Sequence, residues 1–407
     1  MAKFSLICAL FTLFFSTSAT ALTSDYFSSK SNPFVVDFGF EYLHPQFGNI
    51  ENVVIRNYKT GGIATPVSGS VDQVYPDVFA QTLNGQFLLS EESKATLIVK
   101  SFLPLNSLAQ MDTGNTDLPE YVLYRAENQR PRMMAMGEMN LSDSWRAGLG
   151  FDLGFGVSAE ATIYLQSGAG KYSSQRISAS IRPKFIPLAV IEHEGYRLLV
   201  KGENKIDFAF KTNAGASVFS TLSAGFDVSY STNSALFFDP WTFELSKQYG
   251  LSAVGLDTWN LGLGLSYQLW TGYQARAAVI EDVSGTFSNG LAPAFKTRNL
   301  LVPRVSLEKR FQSSRWELGY QFKDSIFNST PSGNGNYLDP PRHTGVLGAI
   351  FPISSGWEFG ANLQVARLTP QSVVKSDATD IGGPGYEASG WLYGGSVNLI
   401  VPFSKKD

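Results

Sequence analysis

From Trp145 to Phe155 the chain puts Trp145, Ala147, Leu149, Phe151, Leu153 and Phe155 at one parity. Arg146, Gly148, Gly150, Asp152 and Gly154 stand at the other. Trp259–Leu269 repeats the pattern: Trp259, Leu261, Leu263, Leu265, Tyr267 and Leu269 oppose Asn260, Gly262, Gly264, Ser266 and Gln268. Trp357–Val365, Leu222–Tyr230 and Val36–Tyr42 alternate in the same way. A period of two belongs to a strand, because a helical face would recur near 3.6 residues. The segments run for about 9 to 11 residues, the length a tilted strand needs to cross a hydrocarbon core. Several end on Trp or Tyr, where lipid headgroups favour an amphipathic ring. A soluble sandwich also alternates. Its strands are usually shorter, however, and its outer face carries more charge than these glycines and serines. The balance favours an all-β fold, a transmembrane antiparallel β-barrel. Composition agrees: charged residues are 16% of the chain against a usual ~25%, aromatics are 13%, and there are 38 glycines.

Further strand candidates are Phe79–Leu89, Ala95–Leu103, Arg132–Leu141, Ser174–Arg182, Ile206–Asn213, Tyr273–Glu281, Leu301–Phe311, Trp316–Lys323, Thr344–Ile353 and Trp391–Phe403. The total is on the order of 14 to 16, within the bacterial range. Ser142-Asp143-Ser144 and Ser354-Ser355-Gly356 read as tight periplasmic turns. Gly48–Tyr75, Asn106–Pro131, Ile326–Arg342 and Thr369–Ser389 are long and polar or rich in Pro and Gly, and read as extracellular loops. Trp391 to Phe403 closes the chain on an aromatic, the usual form of an assembly signal, with Ser404-Lys405-Lys406-Asp407 following it.

The N-terminus adds the route. Lys3 precedes the apolar run Phe4–Phe15, too short to span a bilayer, and Ala19-Thr20-Ala21 has the form of a signal-peptidase site. Residues 1–21 are expected to be a signal peptide cut after Ala21, and residues 22–407 one barrel in the outer membrane of a Gram-negative cell. A short N-terminal anchor is the alternative. The single cysteine, Cys8, falls within the leader, so the mature chain has no disulfide and no thiol nucleophile.

Catalytic chemistry finds little purchase. The three histidines are His44, His193 and His343, and no local signature sets a serine against any of them. Glu192, His193 and Glu194 are adjacent, so on one strand they cannot converge, and they read as a solvated loop. Metal-ligand spacing is absent. A net charge of −3 without a basic stripe gives no reason to expect nucleic acid. Met133, Met134, Met136 and Met139 are four of the six methionines. Met134 and Met136 could line a hydrophobic passage or simply fill gaps in packing. Arg132 and Arg304, like Lys100, Lys309 and Arg310, are cations that fall in strand candidates, and Arg132, Met134, Met136 and Arg304 are taken as the binding candidates.

"LVPRVSLEKRF" (Leu301–Phe311), "WELGYQFKDSIF" (Trp316–Phe327), "NYLDPPRHTGVLGAIF" (Asn336–Phe351) and "GYEASGWLYGGSVNLIVPF" (Gly385–Phe403) together resemble consecutive strands of the FadL/TodX family of outer-membrane transporters for long-chain fatty acids and hydrocarbons. The segment Asp112–Phe155 is similar to a loop and hairpin of divergent members. The resemblance touches about half of the chain. It implies a 14-stranded monomeric barrel plugged by an N-terminal hatch, with an apolar ligand entering from outside and leaving sideways through the wall. It implies no cofactor. Partners would be outer-membrane lipids, the hydrophobic small-molecule ligand and the barrel-assembly machinery. Only Leu22 to Asn32 precede strand-like sequence, and Asn32-Pro33-Phe34 is a trace of the usual hatch element. The hatch is thus reduced or absent, or a loop such as Gly48–Tyr75 performs the plugging. A general porin for polar solutes and a non-transporting structural or adhesive barrel are the alternative functions. A porin should carry opposed charges on an inward-folded loop.

Overall fold

The computed structural model describes residues 34–57, 63–69, 76–90, 92–106, 120–166, 175–217, 226–273, 296–328, 337–353, 356–375 and 385–402. The segment expected to be a signal peptide, the strand expected at Tyr273–Glu281 beyond Tyr273, and the closing Phe403 lie outside these residues.

Fourteen strands form a closed antiparallel barrel. In chain order the wall is β1 (Phe34–Phe47), β4 (Val78–Ser90), β5 (Ala95–Pro104), β7 (Arg132–Asn140), β8 (Trp145–Gln166), β9 (Gln175–His193) and β10 (Tyr196–Lys201). It continues through β13 (Trp241–Leu251), β14 (Leu256–Leu269), β15 (Leu300–Arg310), β16 (Arg315–Lys323), β18 (Arg342–Pro352), β19 (Glu358–Val374) and β20 (Gly385–Pro402). Each pairs with the next, and β20 returns to β1 with Val36 opposite Val401 and Gln46 opposite Trp391. The ring leaves no open edge in lipid, which the absence of water to satisfy backbone groups demands.

Six short turns gather at one end with the first and last described residues. Leu141 N–H donates to Trp145 C=O across 2.9 Å, and Ile353 N–H to Trp357 C=O across 2.8 Å. Glu194 and Gly195, at φ 49° and 79°, form a two-residue hairpin turn between His193 and Tyr196. The stretch read as a solvated loop is therefore the tightest reversal in the wall. Short turns mark the periplasmic end and long connections the outside.

The alternation sorts lipid from lumen. Leu149, Leu318 and Leu363 are 75%, 59% and 65% exposed on the outer face. Trp145, Tyr196, Tyr249, Trp316 and Trp357 ring the tight-turn end, and Tyr42, Trp241, Tyr267, Tyr320 and Trp391 the other. Asp37, Asn84, Lys100, Arg132, Asp152, Gln321, Asn362 and Gln364 are buried inside.

Two expected wall strands stand elsewhere. β11 (Asn204–Ser217) and β12 (Phe226–Asp239) pair with each other, and β11 runs parallel to the part of β8 beyond Leu153, where β7 has ended. The chain reaches that place by turning inward after Lys201. Gly202 packs against Ile186 and Pro187, and the Asn204 amide sits where a Cβ on Gly154 would meet it at 2.6 Å. The wall positions go instead to β10 and β13, which sequence alternation did not single out. In β13 the outward row Trp241, Phe243, Leu245 is broken by Lys247, whose ammonium lies 3.5 Å from the Tyr196 ring centre. A snorkelling cation of this kind hides a lipid-facing strand from an apolar pattern. Outside the ring, β2 (Ile50–Asn57) pairs with β3 (Ile63–Gly69), and β6 (Glu120–Tyr121) pairs with β17 (Tyr337–Leu338). β19 and β20 continue beyond the expected loop boundary at Thr369–Ser389, with Gln371 opposite Ala388.

Because Leu363 lies mid-strand on the lipid face, Leu363→Arg should destabilise the barrel by about 2–4 kcal/mol in urea titrations in lipid vesicles. The adjacent lumenal Gln364→Arg should cost far less, and equal losses would contradict the assigned faces.

Candidate functional site

The lumen is blocked by part of the β5–β7 connection. Residues Glu120–Pro131, expected within an extracellular loop, fold into the mouth and include a single helical turn, α1 (Tyr124–Asn128). Tyr121, Leu123, Tyr124, Glu127, Asn128, Gln129 and Arg130 are all buried. The sequence signal is weak because the segment mixes aromatic, charged and amide residues with no period. Its plugging role was not legible, and the loop suggested for it, Gly48–Tyr75, holds the β2–β3 hairpin.

Apolar contacts seat the plug first. Tyr121 stacks on Phe47 with ring centres 3.9 Å apart, and Tyr124 meets Phe47 edge-on. Val122 N–H donates to Leu338 C=O across 3.1 Å, and the Tyr121 hydroxyl to Ser389 C=O across 3.2 Å. The surrounding collar includes Leu43, Val78, Phe102, Leu368 and Leu392, while Leu123 joins a second cluster with Phe238, Trp270 and Phe327.

Two ionic latches then fix it. Glu127 bridges Lys323 of β16 and, at 2.9 Å, Arg342 of β18, on the wall opposite β7. Arg130 pairs with Asp239 at the end of β12. Lys201 joins that second group, 3.4 Å from Asp239 and 2.9 Å from Asp152. Burial alone would raise the Glu127 carboxyl, but Arg342 and Lys323 pull it down to about 2. Burial likewise opposes ionisation of Asp239, and Arg130, Lys201 and Arg132 overcome it and hold the group far below the usual range. Asp339 differs: burial lifts it to about 6 despite Lys323 and the Ile326 N–H that it accepts at 2.7 Å.

The sequence-selected residues fall as follows. Arg132, Met134 and Met136 share the inner face of β7 with Glu138, and all four are buried. Arg304 also faces inward and pairs with Glu244 of β13, away from the methionines. Met134 and Met136 pack with Ile98, Leu188 and Val190 into one apolar strip. Gly148 of β8 makes this contact feasible, since a Cβ there would lie 2.8 Å from Val190 and 2.6 Å from Glu138. Side chains of β7 and β9 therefore meet across β8 where its inner face carries only Gly148 and Gly150. Ile98 was missed as a site residue because its alternation marked it only as wall, and Leu188 and Val190 because β9 runs on to His193, beyond the strand expected at Ser174–Arg182.

Ions bound the strip above and below. Toward the periplasm, Glu138 is held by Arg146 at 3.1 Å and Arg197 at 2.8 Å. Toward the outside stand Arg132, Asp152 and Lys201. Arg132 and Glu138 are six strand residues apart, which spans about 20 Å.

The histidines are dispersed over the outer surface. His44 Nδ1 lies 2.7 Å from Asp77, His343 Nδ1 2.7 Å from the Tyr320 hydroxyl, and His193 stacks on Trp145. Glu192 turns inward to Arg197 at 3.7 Å, so it and His193 point apart. Among the described residues no three His, Cys, Asp or Glu side chains gather to hold a metal ion.

No family model and no curated protein sequence matches this chain. Solved structures do. A Pseudomonas aeruginosa FadL homologue superposes over 96% of this chain and 98% of its own, with a TM-score of 0.55 at 10% identity. A TodX deletion mutant described as a monoaromatic hydrocarbon channel matches over 97% of this chain and 96% of its own, with a TM-score of 0.50 at 10% identity. The chain has the FadL-type barrel fold. The resemblance read from the C-terminal strands thus holds at the level of architecture, and with the lipid-facing belt it makes the chain an outer-membrane barrel.

Plug stability should depend on pH in two opposite ways. Glu127, lowered from 4.5, contributes above pH 4.5 and loses its contribution as pH falls through about 2. Asp339, raised from 3.8, favours the native state below that value and costs stability as pH rises through about 6. Detergent-solubilised protein should therefore unfold at a higher temperature at pH 5 than at pH 7.5. Asp339→Asn should reduce the difference, by on the order of 1–3 kcal/mol. An unchanged pH profile in that variant would count against this assignment.

Proposed function

We propose that the barrel is an outer-membrane channel that passes hydrophobic small molecules, such as long-chain fatty acids, inward by binding and passive diffusion. One observation carries the reading: below the apolar collar, five apolar side chains, Ile98, Met134, Met136, Leu188 and Val190, are buried together among mostly polar inner faces. A channel for water-soluble cargo has no use for such a strip. The thioethers of Met134 and Met136 suit it to apolar molecules of varied shape. The similarity to a FadL homologue and to a hydrocarbon channel supports the same reading.

Cargo would enter past the plug and exchange its water for the strip. Leu188 adjoins the point where β10 leaves β9, and above Pro187 the free edge of β9 pairs with no wall strand among the described residues. That edge offers a sideways route toward lipid. Arg132, at the upper end of the strip, suits a carboxylate head, while Arg304, committed to Glu244, stands apart. On this reading residues 1–21 export the chain, cleavage follows Ala21, the assembly machinery inserts it, and a monomer suffices. No cofactor takes part.

Cells that depend on this barrel for an apolar substrate should test the strip. Met134→Asp with Met136→Asp should lower uptake by about tenfold or more, the loss expected for one buried apolar side chain. Met133→Asp with Met139→Asp on the outer face should instead impair membrane assembly. Normal uptake by a correctly inserted Met134/Met136 variant would overturn the reading.

A further inference from the structure

Where β20 closes onto β1, the hydrogen bonds of the inner wall all run toward one carboxylate. The Asn362 amide of β19 donates to Ser396 Oγ of β20 at 2.6 Å, and that hydroxyl donates to Asn398 Oδ1 at 3.1 Å. Asn398 in turn donates to Asp37 of β1 at 2.9 Å, and Asn84 of β4 donates to the other Asp37 oxygen at 2.6 Å. Lys100 of β5 lies close enough to act on the same carboxylate. The donors of this relay are therefore spent on Asp37.

Glu41, on the same face of β1, has opposite surroundings. It is only 7% exposed, and among the described residues no hydrogen bond or ion pair reaches it. It stands opposite Ser396 and Ala80, and the inner faces of β19, β20, β1 and β4 carry no lysine or arginine. Thr82 and Gln364 on the flanking strands make no bond to it, and Thr82 Oγ1 and Gln364 Oε1 are themselves buried without a hydrogen-bond partner. Two glycines bring them in. A Cβ on Gly39 would lie 2.8 Å from the Thr82 hydroxyl, and one on Gly394 would lie 2.5 Å from the Gln364 amide. A buried carboxylate needs donors or a cation, and an unpaired one is strongly destabilising.

We propose that Glu41 anchors a site for a monovalent metal cation of the sodium type, with Thr82 Oγ1, Gln364 Oε1 and Ser396 Oγ as its neutral oxygens. Hard cations take oxygen ligands, which is the chemistry left over at this seam. One carboxylate balances one positive charge, whereas calcium would leave a surplus charge in a low-dielectric wall. The site needs no cluster of acids, and it ties β19, β20, β1 and β4 together from the lumenal side. It lies on other strands than the apolar strip and does not depend on the cargo reading.

Full-length protein in detergent tests this through its melting temperature, read from heat-modifiable gel mobility. At constant ionic strength, sodium chloride in place of N-methylglucamine chloride should raise that temperature saturably, by about 2 °C or more. Glu41→Gln should abolish the dependence. In N-methylglucamine it should melt above the native protein, because a neutral amide needs no cation. Glu387→Gln, exposed on the outer face, should keep the sodium effect. Thr82→Val and Gln364→Leu each remove a neutral ligand and should raise the half-saturating sodium concentration about tenfold. These two variants decide the matter if Glu41→Gln fails to insert. Equal melting in the two salts, a sodium effect that persists in Glu41→Gln, unchanged half-saturation in both ligand variants, or a response to calcium alone would each overturn the proposal. None of these readings involves uptake of apolar substrate, so the fate of the cargo reading stays separate.

Discussion

Everything in this molecule depends on the closure of β20 onto β1. A backbone N–H or C=O left open in hydrocarbon costs several kcal/mol, so a strand sheet survives in a bilayer only as a ring. Closure through thirteen register pairs, from Val35–Pro402 to Phe47–Gly390, joins the two ends of the chain into one wall. Once the ring is fixed, parity decides the rest. Each residue faces lipid or lumen, and a one-residue slip would exchange Phe38, Tyr42 and Trp391 for Asp37, Glu41 and Leu392.

The lumen then has to be filled. Its outer third is apolar, and water would hydrate Leu43, Phe102 and Leu392 poorly if the mouth stood open. Tyr121, Leu123 and Tyr124 answer that surface, which explains why a loop turns inward where loops of such barrels usually face water. The ionic latches have a different role. Burying Glu127 or Arg130 alone would cost far more than any contact returns, so each acts chiefly to forbid positions in which its partner is absent. Aromatic burial holds the plug in the mouth, and the charges determine its orientation there.

Much of the architecture was legible in the sequence, and the reasons differ by element. β8, β14, β19 and β20 declare themselves because one face meets lipid and the other meets a lumen, so alternation is undiluted. β10 is only six residues long, and β13 carries Lys247 on its outer row, which blurs the period. β11 and β12 alternate yet lie outside the wall, because period reports that a strand has two unlike faces and not which sheet it joins. Parity alone put Met134 and Met136 on one face with Arg132 and Glu138, but not which face that was. Their partners Leu188 and Val190 were not legible, since the contact crosses β8 and depends on Gly148. The plug was illegible, because its burial is decided by a collar drawn from distant strands.

One consequence joins the plug to the wall. Asp239 is held by Arg130 from the plug and by Lys201 from the strand end where the wall turns inward, and Lys201 is held in turn by Asp152 on β8. A plug that left its seat would take Arg130 from this group and leave Asp239 and Asp152 sharing Lys201, with Arg132 beside them. Pairing of this kind resists partial states, because a buried carboxylate that loses one of its two cations is destabilised at once. The mouth of the barrel and the inward turn above Leu188 are therefore one electrostatic unit. Whatever moves the plug also changes the force that keeps residues 201–205 folded across the lumenal face of β9 and β8.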